Sequence, residues 1–221
     1  MIAAITIVAL LTISLAAQAP PWWRSVDAAD PTTITLAEDV ERGVFNALHR
    51  SRPGGEAWTV SISAAQANAW LNVKMPRWLE NRRISMPKRV AEIQAEFESS
   101  VVALGARLIT DDGEHYVSAT VTPTLGEDDS LWMVIAGAKA GRLDLPSGWT
   151  VSRLRDWLPP EVRDRESTQA VLNALAGLAP LFPDASVRLE DGRRVRLVEI
   201  RAEEGKLYIT CITEAAPRRG E

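Results

Sequence analysis

The chain has 221 residues, of which 46% are hydrophobic and 24% are charged, and these are ordinary proportions for a globular protein. This length accommodates one domain of normal size or two very small ones. The net charge of −4 excludes the strong positive field that attracts nucleic acid, and the single cysteine, Cys211, excludes a disulfide framework and a cysteine-rich metal site.

The first predicted element is an apolar segment, residues 2–17, which contains no charged residue, proline or glycine. As a helix it would be about 24 Å long, slightly less than the roughly 30 Å hydrocarbon core of a bilayer. A buried core helix of this length normally keeps a polar stripe, and none is present here. The aromatic pair Trp22 and Trp23, followed by the cation Arg24, is typical of a membrane interface. We therefore predict that residues 1–24 form a transmembrane signal anchor.

Two features bear on the processing and orientation of this anchor. Ala17-Gln18-Ala19 has the small-x-small pattern of a signal-peptidase site, but Pro20 would follow the cut and fits poorly to the extended backbone that a protease grips. We therefore favour an uncleaved anchor. Because about 200 residues follow a segment of secretory type, we expect a single-pass membrane protein with its C-terminal domain extracytoplasmic, in the periplasm or at the cell surface.

The remainder of the chain divides into a polar linker at residues 25–33, one α+β domain at residues 34–216 and a disordered tail at residues 217–221. At the start of the domain, Thr35 and Glu38 have the spacing of a capping box, which predicts a helix there. A strand at residues 58–62 follows. A second capping box at Ser63 and Gln66 then opens a helix that we expect Pro76 to end.

Alternation of apolar and polar residues begins near residue 90 and predicts an antiparallel meander. Asp111-Asp112-Gly113 is a strong hairpin turn within it. Gly105, Gly137 and Gly141 indicate bulges or sharp coiling in the strands. The predicted strands cover residues 93–98, 101–110, 116–125 and 131–143.

The last third of the sequence predicts a short helix at residues 152–157, a longer helix at residues 161–178 and three more strands. We expect Val171, Leu172, Leu175 and Leu178 to form the buried face of the longer helix. The fold class is therefore α+β: an N-terminal transmembrane helix followed by helices packed on a curved antiparallel sheet of meander hairpins. The final strands are predicted at residues 187–189, 195–202 and 207–213.

The pattern Ile62-Ser63-x-x-Gln66-x-Asn68-x-x-Leu71, placed after a strand and before a run of long hairpins, resembles the YpmS-like membrane-anchored bacterial proteins. More distantly it is similar to the helix-plus-coiled-sheet units of tubular lipid-binding domains. The similarity covers roughly residues 58–145. It implies an affinity for hydrophobic ligands and supplies no catalytic residue.

A search for catalytic chemistry finds neither a Gly-x-Ser-x-Gly nucleophile elbow nor a phosphate-binding loop. His49 and His115 have no further histidine or cysteine at metal-ligand spacing, and Cys211 alternates with Ile209 as a buried strand residue would. The acidic clusters do not fit a calcium loop. We therefore predict a protein that is not an enzyme and that needs no cofactor or metal.

One basic stretch forms a candidate contact surface. Five cations are opposed only by Glu80 within that stretch, and together with Met75 and Trp78 they could rest on anionic headgroups or on an acidic envelope polymer. The alternative is a basic loop in water, which is the usual role of a charge run. The five cations are Arg77, Arg82, Arg83, Lys88 and Arg89.

Two functional hypotheses remain after these exclusions. In the first, the tethered domain binds a lipid or another hydrophobic molecule in an apolar groove near the membrane. In the second, it is an assembly or scaffold protein of the bacterial envelope that acts through protein–protein contacts. Both hypotheses have the membrane as a partner, and neither involves nucleic acid.

Overall fold

The computed structural model describes residues 15–84, 86–146, 163–164 and 166–215, apart from the side chain of Ser167. Within these residues the chain forms an α+β fold with two antiparallel sheets. The helices are α1 Pro31–His49, α2 Ala64–Val73, α3 Met75–Asn81 and α4 Glu166–Leu175. The strands are β1 Ala57–Ser63, β2 Val90–Glu98, β3 Val101–Thr110, β4 Gly113–Leu125, β5 Leu131–Ala140, β6 Leu143–Leu145, β7 Ser186–Arg188, β8 Arg194–Glu203 and β9 Lys206–Glu214.

Helix α1 begins earlier than the sequence predicts. Asp30 is its N-cap and accepts a hydrogen bond from the backbone N–H of Thr32, and Pro31 occupies the first turn. Proline suits this position for two reasons. Its φ is already helical, and the N–H groups of the first turn have no partner within the helix, so the N–H that proline lacks is not needed. The prediction of a cap at Thr35 is therefore wrong, and residues 31–33 belong to the helix instead of a linker. The hydroxyl of Thr35 donates to the carbonyl of Pro31, 2.9 Å away.

Helix α2 confirms the second capping box, since Ser63 and Gln66 each bond to the backbone of the other. Its far end differs from the prediction. The helix ends at Val73, and Pro76 lies in the first turn of α3, so Pro76 opens a helix instead of ending one. The same preference of proline for the first helical turn accounts for this position.

The predicted meander is confirmed as a five-stranded sheet in the order β2-β3-β4-β5-β6. Gly113, with φ of 133°, closes the predicted turn between β3 and β4. A bulge lies beside Gly137, because Thr120 pairs with Gly137 while Val121 pairs with Ile135. The strand predicted at residues 131–143 is interrupted by a tight turn at Gly141, whose φ is 57°, and the chain returns as β6.

The C-terminal strands form a second sheet in the order β1-β9-β8-β7, whereas the sequence predicted a single curved sheet. Strand β1 pairs with β9, so Trp58 lies opposite Cys211. The two sheets and α2 enclose the main core, to which Phe97, Val121 and Ala202 contribute buried side chains. A second buried cluster includes Leu197 and Cys211.

Helix α4 is shorter than predicted at its C-terminal end. It ends at Leu175, Gly177 follows with φ of 71°, and Leu178 is 74% exposed. Leu172 is buried, but Val171 is exposed, so the predicted four-residue buried face is only partly correct. The predicted helix at 152–157, residues 161, 162 and 165 of the longer helix, the tail at 217–221 and most of the apolar segment 2–17 lie outside the described residues.

Candidate functional site

The most distinctive feature of the fold is a segment that we call the N-terminal strap, residues 15–26. It crosses one face of the five-stranded sheet, while α2 and the second sheet cover the other face. Side chains alternate along β2, so Ala95 and Phe97 enter the core while Glu92 and Gln94 point at the strap. The last residues of the apolar segment, 15–17, and the chain that follows them are therefore part of the folded domain.

The strap begins at the turn between β5 and β6. The backbone N–H of Arg142 donates to the carbonyl of Leu15 at 2.9 Å, and its Nε donates to the carbonyl of Ala19 at 3.2 Å. Gly141 makes this contact possible, because a Cβ on Gly141 would lie 2.3 Å from the carbonyl oxygen of Leu15. Residues 15–19 are thus held against this turn by hydrogen bonds and by close backbone packing.

Trp22 and Trp23 form the apolar centre of the strap. Trp23 is only 8% exposed, and its ring meets the edge of Tyr116 with 5.1 Å between the ring centroids. Both indoles lie over Gly105, where a Cβ would come within 2.8 Å of Trp22 and 2.9 Å of Trp23. Burial beside the strap raises the pKa of Tyr116, and the charge of Glu114 adds to the shift.

Two buried polar residues of β2 bind the backbone of the strap. Gln94 is fully buried; its Oε1 accepts from the N–H of Arg24 at 3.0 Å, and its Nε2 donates to the carbonyl of the same residue. Glu92 is 4% exposed and accepts from the N–H of Val26 at 2.7 Å and from the hydroxyl of Ser25 at 3.2 Å. Arg107 lies 3.3 Å from Glu92 and compensates its charge.

These contacts give Trp22, Trp23 and Arg24 a definite place in the fold. The sequence places all three at a membrane interface, and that role stays a prediction. The guanidinium of Arg24 donates to the carbonyls of Pro21 and Trp23 and remains exposed. The ring of Trp23, in contrast, is enclosed between the strap and the sheet, so its main observed contribution is to hold the strap in place.

The second candidate feature is the predicted basic stretch, which lies on α3 and in the loop to β2. We call it the basic platform: Arg77, Arg82, Arg83, Lys88 and Arg89. All five side chains are exposed, and none has a carboxylate of the described residues within 4.0 Å. Arg82 instead lies over the ring of Trp78, 4.3 Å from its centroid, and Trp78 is 44% exposed.

Arginines elsewhere in the described part of the chain commonly have acidic partners. Arg194 contacts Asp184 at 2.8 Å, Arg196 contacts Asp129 at 2.8 Å, and Arg107 bridges Glu92 and Glu114. The platform therefore differs from the basic residues of β8, whose charges are compensated within the fold. An uncompensated cluster of cations retains its attraction for an external anion.

The platform and the start of the strap lie at the same end of the five-stranded sheet. Arg89 directly precedes β2, and its carbonyl accepts from the N–H of Ile109 near the end of β3. Strand β5 ends at Ala140, beside the turn that holds Leu15. Strands β2 and β5 are three interstrand spacings apart, which is a distance of roughly 14 Å.

The turn between β3 and β4 brings carboxylates to the same end of the sheet. Asp112 lies 3.3 Å from His115, and Glu114 lies 3.1 Å from Arg107. A hydrogen bond from the Thr110 hydroxyl, aided by His115, lowers the pKa of Asp112, so this carboxylate is ionised at neutral pH. The end of the sheet therefore carries a basic region beside β2 and an acidic turn next to it.

Two open clefts flank the strap. One, of about 560 Å³, lies next to the turn between β2 and β3, and the other, of about 900 Å³, lies between the strap and helices α1 and α2. Arg24 and Glu96 line both clefts. Further acidic residues line one or the other, so charged side chains stand among the apolar residues in the walls of both clefts. These acidic residues are Asp27, Asp30, Glu98 and Glu204.

The residues considered for catalysis are not brought together. His49 stacks on Phe45 at the end of α1, while His115 pairs with Asp112 on β4. Burial raises the pKa of Cys211, which opposes the thiolate form that a nucleophile needs. Among the described residues, histidine, cysteine and acidic side chains form no group of three that could hold a metal ion.

No helix in the described ranges has both the length and the apolar character needed to cross a membrane.

No protein-family model, curated protein or solved structure matches the chain. The resemblance to YpmS-like proteins therefore stays a prediction. The sequence pattern at Gly105 predicted a bulge or sharp coiling. Glu92 and Gln94 were not predicted as buried, because alternating polar residues on a strand normally face water. A glycine in the middle of a strand allows another segment to pack directly on the strand backbone. The sequence does not identify which segment packs there.

Proposed function

We propose that the chain is a single-pass membrane-anchored protein whose folded domain lies outside the cytoplasm and acts through binding contacts, without catalysis. The observation that carries this proposal is the strap. It binds the sheet through Leu15, Trp23 and Arg24, and its residues 15–17 are the last three of the uncharged segment 2–17. The composition of that segment favours a hydrocarbon environment, and because its last residues are bound to the domain, no free linker separates the two.

A short connection of this kind limits how the domain moves relative to its anchor. Flexible linkers let a tethered domain sample a volume that grows with linker length. Here the strap is held from Leu15 to Val26 by backbone hydrogen bonds, indole packing and a buried carboxylate. The proposed protein therefore presents one end of its sheet to the bilayer and a defined outer surface to the envelope.

The surfaces of the domain support a scaffold role more than the binding of an enclosed lipid. Charged side chains interrupt the walls of both clefts beside the strap, and an apolar ligand bound there would have to cover them. Exposed apolar side chains occur instead on β5, on α4 and in the segment after it, and α4 and β5 are in contact. This arrangement favours an envelope scaffold over a carrier that encloses a lipid. The side chains are Val134, Val171, Leu178 and Phe182.

The anchor is tested by washing membranes that contain the full-length chain with alkaline carbonate, which removes peripheral proteins. We expect the chain to stay in the membrane pellet. The variant Leu10→Arg should move it toward the supernatant, because a central arginine costs about 2.5–3.5 kcal/mol on insertion scales. The matched control Leu10→Ile should remain in the pellet. Release of the unmodified chain by carbonate would refute membrane anchoring.

A further inference from the structure

We infer that the basic platform binds the anionic lipid headgroups of the bilayer in which the chain is anchored. This inference rests on the proposed function, because the anchor is what holds the platform near headgroups. It adds to that function a defined lipid-contacting surface and a preference for anionic over zwitterionic lipid. The partner is a membrane surface with negative charge, recognised through several independent cation–phosphate contacts.

The first observation behind the inference is the uncompensated charge of the platform. Its five cations are exposed and have no acidic partner among the described residues, whereas Arg194 and Arg196 are each held by two carboxylates. A side chain that is already paired would have to break that contact before binding phosphate. The platform cations have no such contact to break, and each one near an anionic surface shifts the docking equilibrium about fivefold.

The second observation is the chemistry of Trp78. Its indole is 44% exposed on α3, and the guanidinium of Arg82 lies 4.3 Å from the ring centroid. An aromatic ring with one polar group prefers the headgroup level of a bilayer, where its apolar body leaves water and its N–H keeps a partner. Arginine beside it supplies a planar group that binds phosphate through two parallel hydrogen bonds. Together they match the boundary between headgroups and acyl chains.

The third observation is the position of the platform relative to the strap. Leu15 is fixed at the turn after β5, and Arg89 lies at the same end of the sheet, three strands away. The strap therefore starts at the end of the sheet that carries the platform. Because the strap is part of the fold, an anchor in the bilayer would bring the platform to the same surface at high effective concentration.

The acidic turn between β3 and β4 limits the area that can dock. Asp111 and Asp112 would be repelled by anionic headgroups, whereas the platform beside β2 would be attracted. The domain should therefore tilt about the strap, with α3 closest to the lipid and the acidic turn further away. This orientation distinguishes specific docking from general attraction of a basic protein, which the net charge of −4 does not support.

The experiment measures the distance of α3 from headgroups in the full-length chain reconstituted in lipid nanodiscs. Asn81 is exposed at the end of α3, and the native Cys211 is buried, so a fluorophore attaches selectively to the thiol of an Asn81→Cys variant. Quenching by nitroxide-headgroup lipid reports proximity. We expect quenching to be at least about twofold stronger with 30% phosphatidylglycerol than with phosphatidylcholine alone, and to fall in about 1 M salt.

Two matched controls make the result specific. A label on a Ser99→Cys variant lies in the turn between β2 and β3, at the opposite end of the sheet, and should show no dependence on lipid composition. Reversing the charge of Arg77, Arg82 and Arg83 to glutamate should abolish the composition-dependent quenching. The same reversal at Arg50, Arg188 and Lys206, which are also exposed, changes the net charge equally and should leave the quenching intact.

Three outcomes would overturn the inference. The first is equal quenching of the Asn81 label in the two kinds of nanodisc, and the second is equal loss of quenching in both charge-reversed variants. In the third, soluble polyglutamate shifts the label's fluorescence in phosphatidylcholine nanodiscs while phosphatidylglycerol has no effect, which would favour an acidic polymer as the partner. Failure of the membrane anchor gives a different result, because carbonate would then release the chain from the membrane. A chain that resists carbonate but shows no lipid-dependent quenching refutes only the binding of the platform to headgroups.

Discussion

Gly105 is the residue at which the strap comes closest to the sheet. It sits in the regular part of β3, opposite Gln94 and Ser118, with an ordinary strand register. The absence of a side chain lets two indoles lie directly on the backbone, with Trp23 closed off from solvent. A single hydrogen in place of a methyl group therefore determines whether the strap can pack on this face.

We predict that Gly105→Ala destabilises the fold by about 1–3 kcal/mol, because the new methyl group would overlap Trp22 and Trp23. Urea denaturation measures the loss, and faster tryptic cleavage after Arg24 would show that the strap is the part that loosens. Gly137→Ala is the matched control, since a Cβ there meets no atom within 4 Å. Equal stability of the two variants would contradict the packing that we describe for the strap.

At the scale of elements, helix α2 closes the outer edge of β2. Asn68 accepts from the N–H of Ala95 at 2.6 Å, and Asn72 both accepts from the N–H and donates to the carbonyl of Ile93. These two asparagines, four residues apart, bind backbone groups of β2 that a further strand would otherwise bind. They therefore cover an edge of the sheet that would be open to pairing with another strand. Their spacing places both side chains on the face of α2 that meets β2.

We predict that Asn68→Ala lowers the free energy of unfolding by about 1–3 kcal/mol, because the buried N–H of Ala95 would lose its acceptor. Chemical denaturation of the variant gives this value directly. Asn46→Ala on the exposed face of α1 is the control and should change stability by less than about 0.5 kcal/mol. If the Asn68 variant were as stable as the control, the edge contact would not contribute as we describe.

The elements that the sequence predicts well are those with a local physical cause. The side chains of Ser63 and Gln66 bond to the backbone within one helical turn, and the turn at Asp111-Asp112-Gly113 closes between adjacent strands, so neither depends on distant residues. The cap of α1 was missed because Thr35 and Glu38 have the spacing of a capping box, whereas the true start at Asp30 and Pro31 has no glutamate or glutamine three residues after the cap. Local signals identify an element more reliably than its boundary.

The features that the sequence does not predict depend on contacts between distant segments. Pairing of β1 with β9 joins residues separated by most of the domain, and no local pattern distinguishes two sheets from one. Glu92 and Gln94 alternate with apolar residues as solvent-facing residues would, yet the strap buries both. The platform, in contrast, was visible as a run of cations, and the structure adds their exposure and their lack of described acidic partners.

At the scale of the whole molecule, the anchor, the strap and the platform define one proposed arrangement. The apolar segment would enter the bilayer, the strap would fix the sheet relative to it, and the platform at the same sheet end would contact headgroups. In this proposal the anchor would supply the strength of attachment, and the contact of the platform with headgroups would fix the orientation of the domain. In the proposed arrangement the remaining surface would face outward, toward partners in the envelope.

The most direct measurement of this arrangement is the side of the membrane on which the C-terminus lies. Two reporters are fused after Glu221 of the full-length chain, one active only outside the cytoplasm and one active only inside it. We predict activity from the outer reporter and none from the inner one. A bright inner reporter together with a silent outer one would contradict the proposed topology, and with it the anchored role.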